Sequence, residues 1–456
     1  MNGDMITSLP TKRYVTIPCL ALAVLLVATL GWPAELSGQV KAVTGEPLPA
    51  RLLIVQPETK ASVVLYTDPQ GTFKAEVPDG LLKVLATHGP EWTIAEREAR
   101  GGERLELLLT RLVDMPARGY YGTDLHMHST FSDGKQPPAQ VAFDCQAEGL
   151  HIAALTDHEN VAQHEPWLAT ANSAFLPLRG QEVTTRLGHI LSVNCPQVVS
   201  NIVAGPETFL DIFGRIHAQG GFAIVAHPCA PTMTYQAPDV RDYDAWEILN
   251  GSIPPYGGIF DMVQGRKAWH AMLSQGRRVA VVGNSDNHDN FNTLGRDLLQ
   301  HPEKAVQLDR RAAMLMAMVD VEKTIVPWGW KGLHTGFYRT YLQLPETTPQ
   351  AVQAAVKAGR GFVTNGPVLL ATLDDQPPGS EIAANGRESI PFKAELFANR
   401  PLERLVLVIN GQEAITLQSN AARVEVTVPL KPGDWLTAEL YGQWPEFATT
   451  NAWYVK

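Results

Sequence analysis

The stretch Asp124-Leu125-His126-Met127-His128-Ser129-Thr130-Phe131-Ser132-Asp133-Gly134 concentrates groups that can hold a cation. In an extended chain, residues two apart point to the same side, so His126 and His128 can present both imidazoles to one metal ion. Asp133 adds a carboxylate on the same loop. Further along come Thr156-Asp157-His158, Gly180-Gln181-Glu182, Gly188-His189, Ala226-His227-Pro228 and Ser285-Asp286-Asn287-His288. A lone histidine beside a strand is ordinarily hydrogen-bonded structure. Here six of the thirteen histidines fall at strand ends, with carboxylates among them. Accident explains that joint pattern poorly, and shared metal binding explains it well.

Other candidates carry less weight. Asp157 and Asp286 could move a proton, although Asp157, beside His158, could equally orient an imidazole or cap the next segment. Arg186 and Arg339 could anchor a substrate anion or form structural ion pairs. His151, His164, His217 and His270 fall before a strand or in helical segments, where surface or capping roles are the default. There is no Gly-x-Ser-x-Gly, no Cys–His pairing and no phosphate-cradling Gly loop.

The elements that must position these groups change along the chain. From Leu36 to about Val113, strand-length runs such as Arg51 to Val55, Ser62 to Tyr66 and Leu81 to Ala86 alternate with turns such as Asp68-Pro69-Gln70-Gly71, which predicts a small all-β sandwich. From Tyr120 to Asn290 short apolar strands alternate with helix-length segments, the signature of a parallel β/α fold. Seven strands are expected: Tyr121 to Leu125, Ile152 to Thr156, Phe175 towards Glu182, His189 to Val193, Phe222 to Ala226, Ala245 to Leu249, and Val279 to Val282. Helices are expected at Pro138 to Glu148 and Thr208 to Gln219, each closed by glycine. Seven βα units suggest a barrel, and the polar motifs follow its strands, where such folds place their chemistry. Arg296 to Val321 reads as returning helices and loops. Strand patterns resume at Pro391 to Phe397, Leu402 to Ile409 and Arg423 to Val428, a second β-sandwich.

At 456 residues the chain has room for two to four domains. The boundaries are drawn at 1–34, 35–115, 116–366 and 367–456. A formal net charge of −10 argues against a nucleic-acid partner, whose phosphates call for clustered Lys and Arg. Lys12 and Arg13 precede an apolar run from Val15 to Leu30, which fits a signal peptide or an uncleaved anchor. The protein is therefore expected to be exported, periplasmic or extracellular, and to touch the membrane only if that segment is retained. Beyond it, Cys145, Cys195 and Cys229 form no disulfide framework and read as small apolar residues.

The His-x-His with its downstream Ser-Asp-Gly, the Thr-Asp-His, the lone Glu182, the Ala-His-Pro and the final Asp-x-His together resemble the PHP domain, named for polymerase and histidinol phosphatase. Gly38-Gln39-Val40, Pro47-Leu48-Pro49-Ala50 and Thr67 to Phe73 resemble a carboxypeptidase regulatory-like module. With the tail motifs Arg339-Thr340-Tyr341, Gly359 to Pro367 and Thr450-Asn451, the chain looks like the branch typified by carbaryl hydrolases. The resemblance implies a distorted (βα)7 barrel between N-terminal and C-terminal β-sandwiches, holding two or three divalent ions (Mn, Zn or Fe). His126, His128, Glu182 and Asp286 would form one site. Asp133, His158 and His288 would form a second, and His189 and His227 with Glu182 a third or the rest of the second. Asp133 departs from the family, where a histidine is usual, and its added charge and oxygen character would either shift preference from Zn towards Mn or Fe or reduce occupancy of that ion. The implied chemistry is hydrolysis of a carbamate, ester or amide in a small molecule, by water acidified on the metals from about 15.7 to roughly 7. Phosphoester hydrolysis is the rival, and a catalytically idle cell-envelope binding protein the alternative of another class.

Overall fold

The computed structural model describes residues 34–58, 62–202, 205–206, 208–230, 233–251, 261–288, 334–418, 422–443 and 446–456. The apolar run from Val15 to Leu30 and the segments Arg296 to Val321 and Trp328 to Gly332 lie outside the described residues. Among those described, no helix is long and apolar enough to cross a membrane.

Seven strands open the chain, β1 to β7: Ala34–Ala42, Arg51–Val55, Ser62–Tyr66, Thr72–Val77, Leu81–Thr87, Ala95–Arg100 and Arg104–Leu109. They form two sheets, ordered β4-β1-β7 and β3-β2-β5-β6. Alternate residues are buried in β4 and β5, as strands covered on one face require. Leu36, Leu52, Phe73, Val84 and Leu107 belong to one shared core.

The central strands are β8 (Tyr120–Asp124), β9 (Ile152–Leu155), β10 (Leu176–Thr185), β11 (Gly188–Val193), β12 (Phe222–Ala226), β13 (Ala245–Leu249) and β14 (Ala280–Gly283). They lie side by side in chain order. Strands β9, β12, β13 and β14 are buried along their whole length, which is why they read as apolar runs, broken only by Glu247 in β13. Helices α1 (Pro138–Ala147), α2 (His164–Leu168) and α3 (Thr208–Ala218) fall between them. The face of α3 carrying Phe209, Ile212, Phe213 and Ile216 is buried.

The expectation of seven βα units needs correction at β11, which runs antiparallel to both β10 and β12. β10 turns back through a hairpin in which the Leu187 N–H donates to Thr185 Oγ1 and Gly188 sits at φ +127°. A parallel crossover needs a dozen or more residues, and the six between Glu182 and His189 cannot supply one.

The two ends of the set meet at the level of the polar motifs. The His128 N–H donates to the Asn287 carbonyl (2.9 Å) and the Asp286 N–H to the His126 carbonyl (2.7 Å). Helix α4 (Arg266–Ser274) precedes β14, and β15 (Arg339–Gln343), α5 (Pro349–Ala358) and β16 (Gly361–Thr364) complete the region. β15 pairs with β8 and β16, and β16 pairs onward with β24 (Phe447–Thr450). Hydrogen bonding therefore continues past the boundary expected at residue 366.

The remaining C-terminal strands are β17 (Val368–Leu373), β18 (Glu381–Ile382), β19 (Ser389–Phe397), β20 (Leu402–Ile409), β21 (Gln412–Gln418), β22 (Arg423–Pro429), β23 (Trp435–Gly442) and β25 (Trp453–Val455). A β17-β19-β22 sheet shares a core with β20 and β23 that includes Leu373, Phe392, Leu405, Leu440 and Trp453.

Candidate metal centre

The His-x-His motif continues β8 in extended form. Met127 between the histidines packs into a core with Val141 and Cys145, while both rings turn the other way. Glu182 projects from β10 and is buried. His227 follows β12 at φ +27° and Asp286 follows β14 at φ +49°, left-handed conformations that non-glycine residues adopt at a cost. Such strain at strand ends that carry ligand-type side chains is ordinary for a functional site.

These residues gather into three overlapping clusters, the ligand atoms within each lying within 4.8 Å of one another. In the first, the Nε2 atoms of His126 and His128 lie 3.2 Å from Glu182 Oε2 and 3.1 and 3.0 Å from Asp286 Oδ1. The second joins His128, Asp133, His158 and His288, with Asp133 Oδ1 3.3 Å from His288 Nε2 and 3.7 Å from His128 Nδ1 and His158 Nε2. In the third, Glu182 Oε1 lies 2.7 Å from His189 Nδ1 and 3.0 Å from His227 Nε2. The share of His128 in the second cluster is new relative to the sequence reading. A neutral imidazole has one lone pair, so this ring can serve only one of its two clusters at a time.

Five buried ring or carboxylate atoms at this centre have no hydrogen-bond partner: His126 Nε2, His128 Nδ1 and Nε2, His227 Nδ1 and Asp286 Oδ1. Orphaned buried polar atoms are expensive, and their convergence fits divalent cations between them. The electrostatics agree. Burial works against a charged His128, yet the carboxylates of Asp286 and Glu182 close to its ring push it up to about 9. Burial likewise opposes His126, but Asp286, Glu182 and Glu247 hold it well above the ordinary imidazole range. The surrounding imidazoles hold Glu182, Asp286 and Asp133 low despite the burial that would raise them. Burial prevails at His158 and lowers it. Protons held this tightly mark a place built for positive charge.

A cleft of about 410 Å³ opens onto the clusters and is lined also by Glu159, Thr184, Asn201 and Met233. Asp286 lies in the cleft wall among the ligand-type atoms. Asp157 does not join it: its carboxylate accepts from the Ser129 N–H, Ser129 Oγ and Ser132 Oγ at 2.7 to 2.8 Å. It is a brace for the 129–132 loop and does not line the cleft. Arg339 also lies elsewhere, buried and donating to the carbonyls of Gly336 and Glu148. Arg186 is exposed on the β10–β11 turn. His164 meets the Gly180 carbonyl, His217 meets Asp244, His151 packs on Tyr121 and His270 lies near Glu439; none enters a cluster.

The sequence reading missed what stands behind the ligands. Glu247 is fully buried in β13, with Oε1 3.3 Å from His126 Nδ1 and Oε2 accepting from the His227 N–H at 2.7 Å. Asn250 and Asn284 donate to it at 2.7 and 2.6 Å. The signal was present: a lone carboxylate inside the apolar run Ala245-Trp246-Glu247-Ile248-Leu249 needs a reason to be buried.

Two solved structures are similar over part of the chain. One, from Bacteroides vulgatus, is described as a two-domain protein containing a predicted PHP-like metal-dependent phosphoesterase; it shares 17% identity over 70% of this chain and 90% of its own, with a TM-score of 0.38. The other is an amidohydrolase from Chromobacterium violaceum with bound sulfate and no metal, at 19% identity over 37% of this chain and 87% of its own, with a TM-score of 0.29. No curated protein matches the sequence. Residues 124–259 match the PHP domain. The clustered His, Asp and Glu side chains from β8 to β12 thus belong to a PHP domain carried by this chain.

Proposed function

We propose that the chain is a metal-dependent hydrolase acting on a carbamate, ester or amide carbonyl of a small molecule. The observation that carries this reading is the convergence of nine His, Asp and Glu side chains in and behind the wall of one cleft, four of them with buried atoms that lack a hydrogen-bond partner. His126, His128, Glu182 and Asp286 would hold one ion, Asp133, His158 and His288 a second, and His189 and His227, sharing Glu182, a third. Bound Mn, Zn or Fe would polarise the scissile group and make a water acidic enough to react near neutral pH. Of the chain's own groups, Asp286 and Glu159 line the cleft and are positioned to take up a proton, while Thr184 and Asn201 offer hydrogen bonds that orient a polar substrate.

Charge favours a neutral carbonyl over a phosphoester. Among the described residues no Lys or Arg lines the cleft to pair with a substrate anion, and Asp133, Glu182 and Asp286 are committed to the ions. We read the seven central strands as the distorted barrel of the family, the β regions on either side as sandwich modules, and the protein as exported on the strength of its N-terminal apolar run. Metal analysis of purified protein, paired with assays on an aryl ester, an N-methylcarbamate and a phosphodiester, tests the reading. Two or more equivalents of metal with chelator-sensitive carbonyl hydrolysis are expected. Faster phosphodiester turnover would replace the substrate class, and protein without metal after reconstitution would sink the hydrolase.

A further inference from the structure

We propose that Glu247 is a positioning residue that sets the tautomer of His126 and ties together ligands from three different strand ends. The inference rests on the metal-centre reading above and adds a residue to it that supplies no ligand atom. Glu247 faces the back of the His126 ring: Oε1 lies 3.3 Å from Nδ1, while Nε2 on the far side points at Glu182 and Asp286. A carboxylate in that place keeps the proton on Nδ1 and leaves the Nε2 lone pair for a cation.

Its other oxygen does a second task. Oε2 accepts the backbone N–H of His227 at 2.7 Å, holding a residue whose φ of +27° needs external support. The same oxygen receives Asn250 Nδ2, which also lies 3.3 Å from Asp286 Oδ2. One buried anion thereby touches the ligand that follows β8, the one that follows β12 and, through an amide, the one that follows β14. No Lys or Arg among the described residues pairs with Glu247, so its charge is balanced by N–H donors alone. A carboxylate retained in a wholly buried strand on those terms is explained by what it holds in place.

The test compares the full chain with Glu247→Gln, Glu247→Asp and His128→Ala. Affinities for Mn²⁺ and Zn²⁺ are read by competition with a chromophoric chelator, and the melting temperature of metal-free protein is read alongside. Glu247→Gln places an amide against N–H donors, and Glu247→Asp is too short to reach His126 and His227 together. Both should weaken metal binding by about 10–100-fold in protein that folds. A folded variant with undiminished affinity, whatever its melting temperature, overturns the proposal. In ¹⁵N-histidine-labelled, zinc-loaded wild-type protein the His126 ring, assigned by its loss in His126→Gln, should carry its proton on Nδ1. A proton on Nε2 overturns the proposal even where no Glu247 variant folds. Full metal content in His128→Ala would sink the metal centre itself, whereas lost metal there with normal affinity in the Glu247 variants would sink the positioning role alone.

Discussion

Glu182 meets five imidazoles, with Oε2 at 3.2, 3.2 and 3.3 Å from His126, His128 and His158, and Oε1 at 2.7 and 3.0 Å from His189 and His227. Its substitution by Gln should remove more metal, measured by elemental analysis, than substitution of His189, which belongs to one cluster only. The loss of hydrolysis should exceed the about 10–100-fold that removal of a partner behind a ligand costs. Protons compete for the same lone pairs. With His128 pushed up to about 9 and His126 higher than an ordinary imidazole, cations must displace protons on loading. Metal affinity should therefore rise with pH between 6 and 8, by up to about tenfold per unit for each proton displaced. A flat profile in a chelator competition would contradict that linkage. The residues that cluster were legible because their short polar motifs lie within or just after apolar strands. Glu247 and its asparagines were not, because a buried network is recognised only when its donors and acceptors are seen together. Arg339 misled for the same reason: a guanidinium that caps carbonyls in the interior reads in one dimension like an anion anchor.

The β10–β11 hairpin carries Glu182 and His189 on adjacent antiparallel strands, so its turn is part of the centre. At Gly188 a Cβ would sit 2.9 Å from the Tyr235 backbone, at φ +127°. Gly188→Ala should destabilise the fold by about 1–3 kcal/mol, read by denaturant titration, and weaken metal binding at the third cluster. A different junction responds to acid. His88, just after β5, donates from Nδ1 to the carbonyls of Pro49 and Ala147, the latter at the end of α1. Burial lowers both His88 and His151 from 6.5 to about 4. The folded chain keeps these rings neutral while the unfolded chain protonates them near 6.5. Stability is therefore complete above about 6.5 and falls as the pH drops towards 4, by at most on the order of 3 kcal/mol per ring. Urea midpoints at pH 7.5 and 5 should show the fall, and His88→Gln should reduce it. Element types were read well where burial is continuous, as in β12 and β13, which occupy the expected residues. Helix α5 was overlooked although Thr348 caps it, Pro349 opens it and Gly359 closes it. Its short apolar stripe lies between two strands whose own patterns dominate the local sequence.

Across the whole molecule, a few buried ion pairs join regions distant in sequence. Arg51 in β2 meets Glu148 beyond α1 at 2.5 Å, and Arg266 in α4 meets Glu439 in β23 at 2.5 Å. Replacing Arg51 by Met leaves the Glu148 carboxylate, 1% exposed, without that cation. A loss of about 3–5 kcal/mol in the main unfolding transition is expected, and a change under about 1 kcal/mol would show that the contact is dispensable. Strand spacing and turn composition marked where strand-only sequence gives way to alternating strands and helices and where strands resume. Which strands pair across those parts was not visible, since a sheet partner such as β24 lies some eighty residues from β16 and leaves no local trace. That pairing has a practical meaning for anyone seeking a minimal catalytic fragment. A chain stopped at residue 366 would leave β16 with an uncovered backbone ladder, a ready template for intermolecular aggregation. The C-terminal strands cover that edge, and exchanging them for another module would require a new strand to seal it.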